Sequence, residues 1–130
     1  MHATSGTTDL LAATSFAASL ATIAAVEEEG AIEAMKVAGD RLRQGLDQLA
    51  IAHGFRLRQT GPSQMPLVLF EDDELWEKNN YFVAEAVQRG VYLHPWHNMF
   101  ICAAHTDEVI DEALQRSEGA FAALKQRFGS

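Results

Sequence analysis

The spacing of apolar residues predicts four helices in this chain. Ala31–His53, Glu74–Arg89 and the stretch after Thr106 carry apolar residues every three to four positions, which is typical of helices with one buried face. Leu10–Glu29 is instead apolar or small at nearly every position, and such a helix is expected to be buried on several sides. This first helix is therefore expected to need a partner besides the rest of the chain.

Four short segments between the helices predict strands. Phe55–Thr60 alternates apolar and polar residues loosely, as an edge strand can, and Met65–Phe70 is a short apolar run. These two segments surround a turn signal at residues 61–63. Val91–Leu93 and Met99–Ala103 surround a polar and aromatic loop. Each run is short enough for a strand and too short for a helix.

The order of these elements predicts an α+β fold. It comprises a small, mostly antiparallel sheet of three to four strands with helices packed on one face, preceded by the long apolar helix. Residues 1–29 are interpreted as a lead-in and that helix, which serves as an interface or as a link to a missing large domain. Residues 30–130 are interpreted as the small α+β domain.

The sequence also predicts how the third and fourth helices begin. The acidic run at residues 71–74 is expected to open the third helix, because carboxylates favour a helix N-terminus. Thr106 is expected to cap the fourth helix. The buried stripe of the third helix is expected to comprise Leu75, Phe82, Val83, Ala86 and Val87.

Charge and composition argue against two classes of partner. The 130 residues include 10 lysines and arginines against 18 aspartates and glutamates, a net charge of −8. The basic residues are scattered, so contacts to a nucleic-acid backbone are not expected. The charge-free run Leu10–Val26 is weakly apolar and follows Asp9 without a basic leader, so neither a membrane span nor an export signal is predicted. The single cysteine, Cys102, fits a reducing compartment and a cytoplasmic location.

The residues support little chemistry by themselves. Cys102 and its neighbours His94, His97 and His105 lack the spacing of a standard zinc site. Cys102 lies in an apolar run and is expected to be a core residue rather than a nucleophile. The acidic runs are interpreted as solvated faces or helix starts.

Lysines offer no better candidate. Lys36, Lys78 and Lys125 lie among polar residues of amphipathic helices, whereas a lysine that forms a Schiff base needs a pocket that lowers its pKa. What remains is the tip of the loop at residues 94–98, where a ligand could meet polar and aromatic side chains.

Two segments carry a family pattern. Thr8 precedes an alanine-rich helix that reaches Ala-Thr-Ile at residues 21–23. Residues 89–95 read Arg-Gly-Val-Tyr-Leu-His-Pro, and Ala-His-Thr follows at residues 104–106. In these segments the chain resembles the C-terminal part of class III aminotransferases, the pyridoxal-phosphate enzymes of fold type I. It is most similar to glutamate-1-semialdehyde 2,1-aminomutases, from about Thr7 to Leu124.

The resemblance implies roles for a few residues. In this family the threonine at the head of the helix reaches the cofactor phosphate across a dimer interface, which implies that Thr8 binds the cofactor. The loop after the second segment faces the active-site entrance, which implies that His94, Trp96, His97 and Asn98 line the substrate side.

The resemblance also implies that a large domain is missing. That domain carries the Schiff-base lysine and would precede this chain. The complete enzyme would use pyridoxal phosphate and form a homodimer, whereas this chain alone is expected to bind no cofactor and to catalyse nothing.

Two functions are open at this point. The first is a C-terminal fragment of an aminotransferase or aminomutase, which accounts for a first helix that is apolar on all sides. The second is a stand-alone, non-enzymatic α+β module for ligand binding or oligomerisation.

Overall fold

A computed structural model describes the backbone of residues 6–129 and the side chains of residues 12–129. The chain divides into two compact units, residues 1–32 and residues 33–130. The elements in chain order are α1 (Gly6–Glu28), α2 (Ala31–Ala52), β1 (Leu57–Thr60), β2 (Leu67–Phe70), α3 (Glu77–Gln88) and α4 (Asp107–Phe128). The predicted α+β class is confirmed.

The core of the second unit is built where the helical stripes predicted it. Ala38, Leu42 and Leu46 of α2 are buried, as are Ile110 and Leu124 of α4. An aromatic cluster lies at its centre, since the ring of Phe121 on α4 lies 4.4 Å from that of Phe82 and 6.0 Å from that of Phe70. Strand β2 and helices α3 and α4 therefore pack on one another through these rings.

The sheet is smaller than predicted. Strands β1 and β2 pair antiparallel, with Leu57 opposite Phe70 and Thr60 opposite Leu67. The predicted strands at residues 91–93 and 99–103 do not form, so within residues 6–129 the sheet has two strands rather than three or four.

Residues 99–101 run beside residues 64–66, directly before β2, without completing a ladder. The amide of Met99 donates to the carbonyl of Pro66, and that of Ile101 donates to the carbonyl of Gln64, both at 2.9 Å. In an antiparallel pair each strand donates hydrogen bonds to the other, and Pro66 has no N–H that could donate to the carbonyl of Met99. The proline thus leaves this contact one-sided.

Residues 91–93 are fixed by α3 and not by a neighbouring strand. The amide of Val91 donates to the carbonyl of Ala86 at 2.9 Å, which closes the C-terminus of that helix. Val91 and Leu93 are nevertheless buried while Tyr92 is exposed. The apolar residues of this segment are thus buried as expected, but the prediction that the segment is a strand is wrong.

Helix α3 begins three residues later than predicted. Asp72 and Trp76 adopt left-handed backbone conformations, with φ of 57° and 60°, so the chain turns sharply before the helix. The carboxylate of Asp73 then accepts the amides of Lys78 and Asn79 at 3.0 and 2.8 Å. Leu75 consequently lies outside the helix and is 79% exposed, and Val87 on the helix is 47% exposed, so their predicted places in the buried stripe are wrong.

Helix α4 begins beside Thr106 as predicted, but without a hydroxyl cap. Thr106 occupies the capping position and makes no side-chain bond to the helix backbone. Its hydroxyl bonds Glu108 instead, and this bond is the main reason that the pKa of Glu108 lies below its usual value. Asp107 and Glu108 both lie in the first turn, where the helix dipole stabilises a negative charge.

A paired guanidinium and carboxylate connect α2 to α4. Arg41 donates from Nε and Nη2 to the two carboxylate oxygens of Asp111 at 2.7 and 2.8 Å. The hydrogen bond from Arg41 lowers the pKa of Asp111. Such two-pronged geometry fixes orientation better than a single ion pair.

Helix α1 of the first unit carries a row of exposed apolar side chains. Phe16, Leu20 and Ile23 lie on one face and are each more than half exposed. The expectation that a partner buries this helix on several sides stays a prediction. Among the residues that the structure describes, no helix is both long and apolar enough to cross a membrane.

Candidate functional site

The loop at residues 94–98 is organised around the ring of His94. Nδ1 of His94 accepts the amide of His97 at 3.1 Å and approaches that of Trp96 at 3.4 Å. This nitrogen must be unprotonated to accept, which places the proton of a neutral ring on Nε2. The ring therefore holds the turn and leaves the side chains of Trp96 and His97 exposed at the tip.

The loop brings together three of the four residues that were expected to line the substrate side. The ring of His94 lies 5.2 Å from that of Trp96 and 5.6 Å from that of His97, in edge-to-face contact. Nδ1 of His97 lies 2.8 Å from the carbonyl of Asn98. Asn98 thus enters the cluster through its backbone. The side chain of Thr8 lies outside the described side chains, so its role at the cofactor stays a prediction.

Asn79 anchors this loop from below. It is only 3% exposed, and its Nδ2 donates to the carbonyls of Pro95 and Val68. Its Oδ1 accepts the amide of Phe70 at 3.2 Å. One buried carboxamide therefore joins α3, β2 and the loop, and it fixes where the loop tip lies.

Beside the tip is a shallow depression of about 480 Å³ lined by Leu75, Trp76, Asn80 and Trp96. Leu75 and Trp96 are 79% and 56% exposed. The carbonyl of Trp76 accepts Nδ2 of Asn80 at 2.6 Å, which fixes the left-handed turn that presents the indole. Apolar side chains of this size on a strained backbone are typical of a binding surface.

Cys102 is not the core residue that the sequence predicted. It is exposed, and its Sγ lies 3.4 Å from Nδ1 of His105. The apolar run ends at Ile101, because the chain turns there: the amide of Cys102 donates to Nδ1 of His105 at 2.9 Å. Among the described residues, no three His, Cys, Asp or Glu side chains lie close enough together to hold a metal ion.

Sequence reasoning missed Asn79 and Trp76. Asn79 lies four residues after Leu75 and three before Phe82, so it is a polar residue on a predicted apolar stripe. This placement could have indicated a buried polar side chain. Trp76 carried no such signal. Its exposure depends on two left-handed residues that no local pattern predicts.

Known proteins match this chain in both sequence and fold. It is 39% identical over 114 residues to the aminopentol aminotransferase of Sphingopyxis macrogoltabida, covering 88% of this chain and 27% of that protein. It is 33% identical over 118 residues to the glutamate-1-semialdehyde 2,1-aminomutase of Desulforudis audaxviator, with 81% and 27% covered. No family model matches the chain.

A solved structure shows the same arrangement. The pyridoxal-phosphate internal aldimine form of the FumI protein of Sphingopyxis sp. MTA144 superposes with a TM-score of 0.84 at 38% identity, covering 88% of this chain and 28% of that one. The chain matches the C-terminal part of class III aminotransferases. The aminotransferase resemblance is thereby confirmed, and the chain spans about a quarter of the length of the relatives it matches.

The lysines of this chain do not fit a cofactor linkage. Nζ of Lys36 lies 2.8 Å from Asp40, and this hydrogen bond raises the pKa of Lys36, whereas a Schiff-base lysine needs a lowered one. Nζ of Lys78 donates to the carbonyl of Asp72, and Lys125 is exposed on α4. None of the three lysines therefore has the environment of a Schiff-base lysine.

Proposed function

We propose that this chain forms the C-terminal part of a pyridoxal-phosphate-dependent enzyme that transfers amino groups. The observation that carries the proposal is that sequence and fold match the same segment of the same class of enzyme. When bound, pyridoxal phosphate supplies the electron sink for such chemistry. A large domain that contributes the lysine is part of this proposal.

Within that enzyme, the loop at residues 94–98 lines the entrance for substrate. The exposed tip supports this role, since Trp96 and His97 are available to a ligand. The anchoring by Asn79 supports it as well, because a binding residue must be held within a fraction of an ångström to be useful. Thr8, at the head of α1, holds the cofactor phosphate.

A chimera tests this function directly. The C-terminal part of the aminopentol aminotransferase is replaced with residues 1–130 of this chain, and amino transfer and cofactor absorbance are measured. We expect both to be present, and both to be absent from the same enzyme truncated before the replaced part. A chimera that folds and binds cofactor but transfers no amino group from any donor would contradict the proposal.

Two variants of the chimera separate the proposed roles. Thr8→Val is expected to weaken cofactor binding about tenfold, since one charge-assisted hydrogen bond is lost. His97→Ala is expected to raise KM severalfold and to leave the cofactor absorbance unchanged. Equal effects of both variants on cofactor binding would contradict the assignment of the loop to the substrate side.

The exposed face of α1 supports a homodimer. Phe16, Leu20 and Ile23 leave a row of apolar side chains in solvent, and a row of this kind is expected to be covered by a second copy of the chain. The free thiol of Cys102 on the surface supports a reducing compartment, and we place the protein in the cytoplasm.

A charge placed on this face tests the dimer. Leu20→Glu is expected to raise the dimer dissociation constant about tenfold or more, because a carboxylate loses its water when the faces meet. Ala18→Glu, on the opposite side of the same helix, is the matched control and is expected to change little. Sedimentation of the 130-residue chain measures both, and a parent chain that stays monomeric at high concentration would contradict the prediction.

A further inference from the structure

Residues 91–93 and 99–101 line one groove of the second unit, with a volume of about 400 Å³. The loop at residues 94–98 joins the two segments, and loops of this length are common between paired strands. Among the described residues, however, no backbone hydrogen bond links one segment to the other. The two segments thus form separate walls of the groove.

The backbone of these walls carries hydrogen-bonding groups that have no partner. Within the described part of the chain, the amides of Tyr92, Leu93 and Phe100 donate to no acceptor, and their carbonyls accept from no donor. Leu93 is only 6% exposed, and unpaired backbone groups at a buried residue are uncommon. Such groups normally bond another backbone.

The unpaired groups of Phe100 face away from residues 64–66. The amides on either side of it, those of Met99 and Ile101, donate to the carbonyls of Pro66 and Gln64. Backbone groups alternate in direction along an extended chain, so the N–H and C=O of Phe100 point to the opposite side. An extended segment that lies there would bond Phe100 as the next strand of a sheet does.

The side chains of the groove suit an apolar strand. Tyr92 and Phe100 are 78% and 63% exposed, so two large rings along the groove meet solvent. The charged side chains Glu112 and Arg116 bond each other, and Arg116 also donates to the carbonyl of Arg89. An apolar segment would therefore cover the rings without removing the partner of either charge.

The described part of the chain has no strand of its own to place in the groove. Strands β1 and β2 already pair with each other, and the carbonyl of Gln59 on β1 is bonded by Arg43. The matching segment of the solved relative is 28% of that chain, so most of such an enzyme lies outside the matching segment. A strand from that remainder is available to the groove, whereas a second copy would have none to give.

We propose that the groove takes up an apolar strand from the part of the complete enzyme that lies outside this chain, and that this strand pairs with the backbone of Phe100. The proposal rests on the proposed function, because the strand belongs to the complete enzyme. The carbonyl of the strand accepts the amide of Phe100, and an amide of the strand donates to the carbonyl of Phe100. Tyr92 and Leu93 form the facing wall.

Hydrogen exchange at single amides tests the strand. In the 130-residue chain we expect the amide of Phe100 to exchange roughly a hundredfold faster than those of Met99 and Ile101, because only the latter two are bonded. In the chimera with the aminopentol aminotransferase, all three are expected to exchange slowly. Met99 and Ile101 are matched controls, since their bonding partners are the same in both proteins.

Two variants separate backbone pairing from simple covering. Phe100→Pro removes an N–H that has no partner in the 130-residue chain, so Met99 and Ile101 are expected to stay protected there. In the chimera the same change is expected to speed exchange at Tyr92 and Leu93 at least about tenfold. Phe100→Ala keeps the N–H and loses only the ring, so its amide is expected to stay protected in the chimera. Equal protection of Tyr92 and Leu93 in Phe100→Pro and in the parent chimera would reject the pairing.

Three outcomes would overturn the proposal. The amide of Phe100 exchanges as fast in the folded chimera as in the chain alone, or it is already as slow as that of Met99 in the chain alone. In the third outcome its exchange slows as the concentration of the chain rises, which would assign the groove to a second copy. If the chimera does not fold, overlapping peptides from the remainder of the aminopentol aminotransferase are added to the chain, and fast exchange at Phe100 with all of them would reject the strand.

The chimera also separates this proposal from the proposed function. Amino transfer by a chimera in which the amide of Phe100 exchanges fast would preserve that function and reject the strand. A protected Phe100 amide in a chimera that binds cofactor but transfers no amino group would support the strand and reject the function.

Discussion

Replacing Phe121 with alanine is expected to lower the free energy of unfolding by about 3–5 kcal/mol. Phe121 is 0% exposed, and its ring contacts those of Phe82, Phe70 and His53. Removing it leaves a cavity where α4, α3 and β2 meet. The neighbouring side chains are closely packed and cannot move to fill this cavity without strain. A loss of this size is a large part of the stability of an ordinary domain, which is about 5–15 kcal/mol.

Urea unfolding followed by far-ultraviolet circular dichroism measures this change. Tryptophan emission is less suitable, because both indoles lie on the surface and away from the aromatic cluster. Phe100→Ala is the matched control, since Phe100 is 63% exposed, and a change within about 0.5 kcal/mol is expected there. Similar losses for both variants would show that Phe121 is not at the centre of the core.

Replacing Asn79 with leucine is expected to cost about 3 kcal/mol or more, although leucine is the more apolar residue. The carboxamide serves three buried backbone groups: the amide of Phe70 and the carbonyls of Val68 and Pro95. Leucine leaves all three without a partner, and each unpaired group costs about 1–3 kcal/mol. The loop at residues 94–98 loses its anchor in the same change.

Two readouts distinguish this variant from a simple core defect. Stability is measured by urea unfolding, and the position of Trp96 is followed by emission and acrylamide quenching in a Trp76→Phe background, which leaves Trp96 as the single tryptophan. We expect lower stability together with a more freely quenched tryptophan. Gln115→Leu makes a similar exchange at an exposed position of α4 and is expected to change neither. Stability equal to that of the parent in Asn79→Leu would show that the carboxamide has no structural role.

The sequence predicted the parts of this fold that depend on local periodicity. The helices α2 and α4 bury most of the expected stripes, because Leu42, Leu46, Ile110 and Leu124 repeat at helical spacing, a pattern that the sequence shows directly. The expected burial of Ile32 at the start of α2 is wrong, since Ile32 is 58% exposed. Strand β2 was recognised for a similar reason, since its apolar run at Leu67–Phe70 is short and follows a turn.

The errors arose where one distant or one special residue decides the outcome. Whether residues 99–101 form a strand depends on Pro66, more than thirty positions away, and on its missing N–H. The exposure of Leu75 depends on the left-handed backbone of Asp72 and Trp76. The surface position of Cys102 depends on a bond to the side chain of His105. None of these features produces a repeating pattern of apolar and polar residues that the sequence would show.

The sequence indicated the exposed loop residues of the candidate site but not the residues that pack against the loop. The loop residues His94, Trp96 and His97 could be named because they stand out between apolar runs. Asn79 lies on α3 and Trp76 lies directly before it, and only the folded chain brings them to the loop. Their roles follow from burial and backbone geometry, which a sequence does not display.

The outer edge of β2 has a consequence for the protein's behaviour at high concentration. An uncovered strand edge is a template on which another chain can pair and start an aggregate. Here Asn79 bonds the carbonyl of Val68 and the amide of Phe70 on that edge, and Met99 and Ile101 bond the carbonyls of Pro66 and Gln64 directly before the strand. Two loop amides and one carboxamide thus occupy positions that a third strand would otherwise take. They leave fewer backbone groups on this edge for another chain to pair with, whereas a third strand would expose an edge of its own.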